Sequence, residues 1–272
     1  MFLVGDIGGT NARFAIARTT DDQGIVISDF EKFNAQQFDN FDDTMNEFVD
    51  RIGVRPSLAV LAVAGPIHNG EVKLTNRPWQ LNAHDLAQNC RIDEVCLMND
   101  FTAMAFSVTR IGDDSYIDLK KGEPLDNSPV LVAGPGTGFG SCLLIPDDGK
   151  WQALACEGGH SLFVPRNELD RAVLDILSRH HDAVSVERVC GGGYLPELTA
   201  AIAEVHGVET PELSPQEIIE KGEAGDAFCR DICQIRADAI ISSLANMALV
   251  GGKGRHCCRR RCSAAFVKFL DR

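Results

Sequence analysis

Two glycine turns, each held between short apolar runs, constrain this chain more than any other feature. Phe2-Leu-Val4 and Phe14-Ala-Ile-Ala17 flank Gly5-Asp-Ile-Gly-Gly-Thr-Asn-Ala-Arg13. Val130 to Ala133 and Cys142 to Ile145 flank Gly134-Pro-Gly-Thr-Gly-Phe-Gly-Ser141. Each reads as strand, tight turn, strand. Glycine lets a backbone come close to a ligand with no side chain in the way. Successive backbone N–H groups in such a turn form a concave nest for an anion, often phosphate. The first turn is not a P-loop, because no Gly-Lys-Ser/Thr follows and no helix opens. At the end of the strand before it, Asp6 suits a direct or water-mediated magnesium contact, or else caps the turn. Gly8, Gly9 and Thr10 suit phosphate through N–H groups and a hydroxyl.

Between and after the turns the pattern alternates strands with helices. Phe41, Met45, Phe48, Val49 and Ile52 carry helical spacing, and Leu58 to Ala64 reads as a buried strand. Glu94 to Met98 reads as a strand running into Asn99-Asp100, with a helix from Phe101 to Val108. A carboxylate at the C-terminal end of a parallel strand is a common place for chemistry, and Asn and Asp are also favoured helix caps. One of this pair can cap while the other faces a ligand. Glu157-Gly-Gly-His160 sets a carboxylate and an imidazole two glycines apart, a spacing that lets both converge on one small polyol or that simply marks a turn. Ser185-Val-Glu-Arg188 starts another element and precedes Gly191-Gly-Gly193. Ala224 to Leu249 predicts a long helix, apolar on one face and ended by Gly251-Gly252. The similarity of the two glycine turns suits a duplicated fold.

Composition narrows the function. The 272 residues are 44% hydrophobic and 24% charged, as in a globular protein with one large or two modest domains. A net charge of −13 argues against nucleic acid and anionic membranes as partners. No apolar run approaches a bilayer span, and the N-terminus has no secretory pattern, so a cytoplasmic location is expected. Of ten cysteines, Cys90, Cys96, Cys142, Cys156, Cys190, Cys229 and Cys233 are scattered and are expected to be buried free thiols.

Taken together, Gly5 to Arg13, Asn99-Asp100-Phe101-Thr102-Ala103, Gly134 to Gly140, Glu157 to His160 and Ser185 to Arg188 resemble the bacterial glucokinases, in the family's order, over residues 1 to about 252. The resemblance implies an α/β, two-domain, actin-like or hexokinase-like ATPase fold with RNase H-like domains, each glycine hairpin holding phosphates from one side of a cleft. It implies a small domain over 1–109 and a large domain over 110–252, with a C-terminal part that is incomplete. It implies ATP and magnesium as cofactors, glucose as substrate, and a monomer or homodimer. Asp100 then resembles the base for the sugar's 6-hydroxyl. Asn99, Glu157, His160 and Glu187 resemble the glucose ligands. Asp6, Gly8, Gly9 and Thr10 resemble the first phosphate and magnesium element, and Gly136, Thr137 and Gly138 the second phosphate element. A kinase for another hexose, or a non-catalytic sugar-sensing regulator, shares much of this pattern. Asp100 favours catalysis over sensing.

After Gly252 the composition breaks. The tail over 253–272 carries seven Lys or Arg and one acid, in a chain with 26 basic and 39 acidic residues. His256, Cys257, Cys258 and Cys262 lack the second separated pair of a zinc site. A basic nucleic-acid tail is a second reading. The third is a shifted reading frame, because cysteine codons advanced by one base always give valine or alanine. Read as written, the tail supplies no apolar strand, since buried charge without a partner is costly, and poor stability and weak ATP binding are expected. The coding DNA is expected to spell Gly254 to Phe266 with codons that, advanced one base, give Ala-Val-Ile-Val-Ala-Gly-Gly-Val-Ala-Pro-Arg-Leu. Codons that cannot yield this product end the frameshift reading.

Overall fold

A computed structural model describes residues 1–8, 10–21, 24–74, 79–110, 117, 119, 125–251 and 255–258, the last four and Gly251 as backbone only. The chain divides into two compact units, Met1–Met104 and Ala105–Arg272.

The first unit is built on a five-stranded sheet. Its strands are β1 (Phe2–Ile7), β2 (Asn11–Thr20), β3 (Gly24–Asn34), β4 (Leu58–Val63) and β7 (Glu94–Asn99), in the order β3-β2-β1-β4-β7. The first three strands form an antiparallel meander, and β4 and β7 run parallel to β1. Between β3 and β4 lies α1 (Phe41–Ile52). The Asn40 carboxamide oxygen caps α1 by accepting from the Asp43 N–H at 2.8 Å, and Gly53 closes it in the left-handed region at φ 67°. Its face of Phe41, Met45, Phe48 and Val49 is buried. A short hairpin, β5 (Glu71–Lys73) with β6 (Gln80–Asn82), leads into α2 (Ala83–Asn89), which Asn82 caps. α3 (Asp100–Val108) follows β7 directly, and the unit boundary falls inside it.

Shape in this core comes from rings. Phe14 stacks on Phe48 at 5.4 Å between centroids and meets Phe33 and Phe41 at 5.8 and 5.9 Å. Trp79 packs edge-on to Phe41 and donates its indole N–H to the Asp39 carbonyl at 3.1 Å.

The second unit repeats the sheet pattern. β8 (Val130–Pro135), β9 (Phe139–Asp147) and β10 (Lys150–Cys156) form an antiparallel meander, and β11 (Arg255–Cys258) lies parallel beside β8, in the order β10-β9-β8-β11. In both sheets the strand that opens the meander has its antiparallel partner on one side and a parallel strand on the other. The helices are α4 (Glu168–Leu177), α5 (Val186–Cys190), α6 (Leu195–His206), α7 (Pro215–Glu223) and α8 (Ala227–Gly251). Asn167 caps α4, and Ser214 with Glu217 forms a capping box on α7.

Three expectations change here. The long helix α8 is not apolar on one face alone. Ile232, Cys233, Ile235, Ala237, Ala239 and Ile240 are all buried, more than one stripe of a helix can hold, because α5, α6, α7 and β8 pack around it. Not every thiol is buried: Cys96 is exposed and Cys156 intermediate, whereas Cys90, Cys142, Cys190, Cys229 and Cys233 are buried. Desolvation pushes the Cys90 thiol up to about 12. Finally, the tail as written does supply a strand. β11 pairs Arg255 to Cys258 with Val130 to Ala133, over the four residues that the shifted frame reads as Val-Ile-Val-Ala. Backbone pairing does not select side chains, and among the described strands β11 has a neighbour on one side only. The rest of the tail lies outside the described residues.

Phe48 is fully buried and joins α1 to Phe14 and Phe33 of the sheet, so Phe48→Ala is expected to lower unfolding free energy by about 3–5 kcal/mol, read from urea denaturation. A loss under about 1 kcal/mol would mean that the ring cluster does not hold the unit together.

Candidate active site

In the first unit the polar residues gather where the parallel strands end. Ile7, Val63 and Asn99 are register partners across β1, β4 and β7. Asp6 and Asn99 therefore lie at the same C-terminal sheet edge, where α/β sheets place ligands. The Asp6 carboxylate is 56% exposed and accepts from Arg13 Nη1 at 2.6 Å, across the β1–β2 register. In the turn between them the Gly8 N–H is already used, donating to the Asn11 carbonyl at 3.0 Å. The Thr10 carbonyl accepts from the Ala35 N–H at 3.0 Å, and its side chain is exposed. Gly9 lies outside the described residues.

Asn99 caps α3. Its carboxamide oxygen accepts from the Phe101 and Thr102 N–H groups at 2.9 and 3.2 Å. Its Nδ2 donates to the Gly65 carbonyl at 3.1 Å. One Asn99 N–H remains for a ligand, so Asn99 can act there only as a donor. Asp100 is the first residue of α3 and half-buried, an acid in the turn that the helix dipole favours.

In the second unit the β8–β9 turn, Gly136-Thr137-Gly138, is seated on a second glycine run. The Gly192 N–H donates to the Gly136 carbonyl at 2.7 Å and the Gly193 N–H to the Thr137 carbonyl at 2.8 Å. A side chain at Gly191 would meet the Glu187 carbonyl at 2.6 Å and the Thr137 carbonyl at 2.7 Å, so this approach needs glycine. Within the turn the Gly136 N–H is spent on the Gly138 carbonyl. Among the described residues, the Thr137 and Gly138 N–H groups take no hydrogen bond, which makes them the turn's remaining donors.

Glu187, on the first turn of α5, lies against the same turn. Its Oε2 accepts from the Phe139 N–H at 3.3 Å, and a side chain at Gly138 would collide with that oxygen. Its Oε1 lies 3.5 Å from His160 Nδ1 and 3.5 Å from the Tyr194 hydroxyl. His160 Nε2 in turn lies 3.8 Å from the Glu157 carboxylate. Glu187 is only 14% exposed, whereas Glu157 and His160 are open at 78% and 65%. Gly158 and Gly159 set the bend between these two, with Gly159 packed on the Phe139 carbonyl and the Gly158 N–H donating to Ser141 Oγ at 3.0 Å.

Behind Tyr194 stands a charged cluster. The Arg188 guanidinium lies 5.0 Å from the Tyr194 ring centroid and bonds Glu197 at 3.1 Å, and His181 bonds the other Glu197 oxygen. Burial pushes the Glu197 carboxyl up, but the His181 and Arg188 hydrogen bonds outweigh it and hold the group below its ordinary range.

The structure thus brings Glu157, His160 and Glu187 together beside Gly138, and places Asp6 and Asn99-Asp100 at one sheet edge. It adds Arg13, Tyr194 and the Gly191–Gly193 loop. Arg13 and the three glycines stood in quoted motifs without a role. Tyr194 carried no signal, because nothing local ties a tyrosine seven residues on to a carboxylate. No described group of His, Cys, Asp and Glu forms a metal cluster, and no described helix is long and apolar enough to cross a membrane.

Comparison with known proteins bears on this arrangement. The glucokinase family profile matches residues 3–254. The glucokinase of Chromobacterium violaceum is 32% identical over 255 residues, which is 93% of this chain and 72% of that protein. The crystal structure of a glucokinase from an Antarctic psychrotroph superposes with a TM-score of 0.83 at 29% identity, covering 99% of this chain and 87% of that one. A ROK family glucokinase from Streptomyces griseus, solved with glucose and AMPPNP, shares the fold at a TM-score of 0.64 and 18% identity, over 99% of this chain and 86% of its own. The fold is the actin-like ATPase fold of these sugar kinases, and the chain belongs to the glucokinase family.

Proposed function

We propose that this chain transfers the γ-phosphoryl group of ATP to the 6-hydroxyl of glucose, giving glucose 6-phosphate, a reaction for the cytoplasm, where ATP is made available. The observation that carries the reading is the convergence of Glu157, His160 and Glu187 beside the β8–β9 turn. A sugar presents a ring of hydroxyls that each donate and accept, and a site that leaves its own polar groups unpaired rejects a poorly matched sugar. Glu187 and Glu157 act as acceptors, His160 as donor or acceptor by tautomer, and Asn99 as donor through its remaining N–H.

Asp100 takes the proton from the 6-hydroxyl as that oxygen attacks phosphorus. A primary alcohol is a poor nucleophile, and a carboxylate within hydrogen-bond reach helps by accepting its proton. The protein's other contribution is position and charge stabilisation. At the second phosphate element Thr137 and Gly138 supply N–H donors, and Gly136 gives the backbone its close turn. At the first, Thr10 supplies a hydroxyl, while Gly8 and Gly9 keep the approach open. Magnesium, when bound, neutralises charge on the phosphoryl oxygens. Asp6 fits such an ion, directly or through water, because its carboxylate is more than half exposed and magnesium sites shared with phosphates ask for only one or two protein carboxylates.

Asp100→Ala is expected to lower kcat about 10²- to 10⁴-fold while glucose binding weakens far less. A coupled assay for glucose 6-phosphate, with calorimetry for glucose, reads both. Turnover near that of the parent would remove Asp100 from the role of base.

A further inference from the structure

We infer that Tyr194 is a positioning residue for Glu187, fixing how that carboxylate is shared between the sugar and the phosphate turn. The inference rests on the reading of Glu187 as a glucose ligand. Glu187 faces two ways. Oε2 is held by the Phe139 N–H at the base of the β8–β9 turn, and Oε1 lies 3.5 Å from both His160 Nδ1 and the Tyr194 hydroxyl. A carboxylate held only through Oε2 is free to turn about its last torsion, which is broad and two-fold. The Tyr194 hydroxyl removes that freedom by donating to Oε1, which fixes the direction in which Oε1 meets His160 or a ligand hydroxyl.

Tyr194 is itself held in place. The Gly193 N–H before it donates to the Thr137 carbonyl at 2.8 Å, its own N–H donates to the Gly191 carbonyl at 3.4 Å, and Arg188 covers its ring at 5.0 Å. Arg188 is fixed in turn by Glu197 at 3.1 Å, and Glu197 by His181. A cluster otherwise without a part in the chemistry thereby acts as the wall against which the sugar's carboxylate ligand is aimed. The hydroxyl is the working part. The ring alone would satisfy Arg188.

The test uses the full chain and four proteins: parent, Tyr194→Phe, Glu187→Gln and the double variant. Phenylalanine keeps the ring over Arg188 and deletes only the donor. Tyr194→Phe is expected to lower kcat/KM for glucose about 5- to 10-fold, the scale of an ordinary hydrogen bond, with kcat and the ATP KM within about twofold of the parent. In the Glu187→Gln background the same change is expected to have no further effect, since the group it aims is already altered. The initial slope of the assay gives kcat/KM even where saturation is out of reach. A Tyr194→Phe enzyme matching the parent overturns the inference and leaves the role of Glu187 intact, provided Glu187→Gln weakens glucose. A full loss in both backgrounds also overturns it, because the hydroxyl then acts elsewhere. Glu187→Gln with unchanged glucose kinetics removes both the inference and the reading beneath it.

Discussion

The second unit depends on one main-chain contact, the seating of the β8–β9 turn on Gly191–Gly193. A tight turn leaves carbonyls and N–H groups without ladder partners, and such groups are costly when shielded from water. Here the second glycine run takes the turn's carbonyls, at Gly136 and Thr137, and among the described residues two of the turn's N–H groups stay unspent. The turn is therefore polarised: acceptors face the protein's own backbone, and donors remain for an anion. A side chain at Gly191, Gly192 or Gly193 would meet the turn's carbonyls, which is why the second run is glycine.

The same economy recurs in the first unit with a side chain as the mediator. Asn99 closes the first turn of α3 with its oxygen and ties β7 to Gly65 with its nitrogen. A residue so committed has one hydrogen-bonding direction left, so its identity is set by structure before any ligand arrives. Glu187 is similar, with one oxygen given to the Phe139 N–H. Asn99 and Glu187 are thus structural residues first, each with a spare proton or lone pair.

Much of this was legible in the sequence because it is local. The helical spacing of Phe41, Met45, Phe48, Val49 and Ile52 stands in the structure as α1. The glycine turns join strands that pair with their immediate neighbours. The polar pairs Asn99-Asp100 and Glu157 to His160 could be singled out because each is close in sequence. What could not be read is what crosses the fold. The Glu187 carboxylate lies against Gly138 from a helix far along the chain. The burial of α8 on several sides reflects neighbours that arrive from separate segments, and its own residues include enough polar ones to suggest a single face. The strand Arg255–Cys258 was missed for a related reason: pairing with β8 runs through backbone atoms, while a sequence pattern reports only side chains.

The repeated sheet order carries a kinetic consequence. In the first unit the parallel neighbour of β1 is β4, made soon after it, with the rest of the meander, a short 3-10 turn and α1 between among the described residues. In the second, the parallel neighbour of β8 is β11, and five helices are made before it. Closing a longer loop costs more entropy and slows the step that needs it. During synthesis the first sheet can close early and wait, whereas β8 stands without its parallel partner until the helices around it have formed. The two halves of one architectural plan thus mature on different clocks.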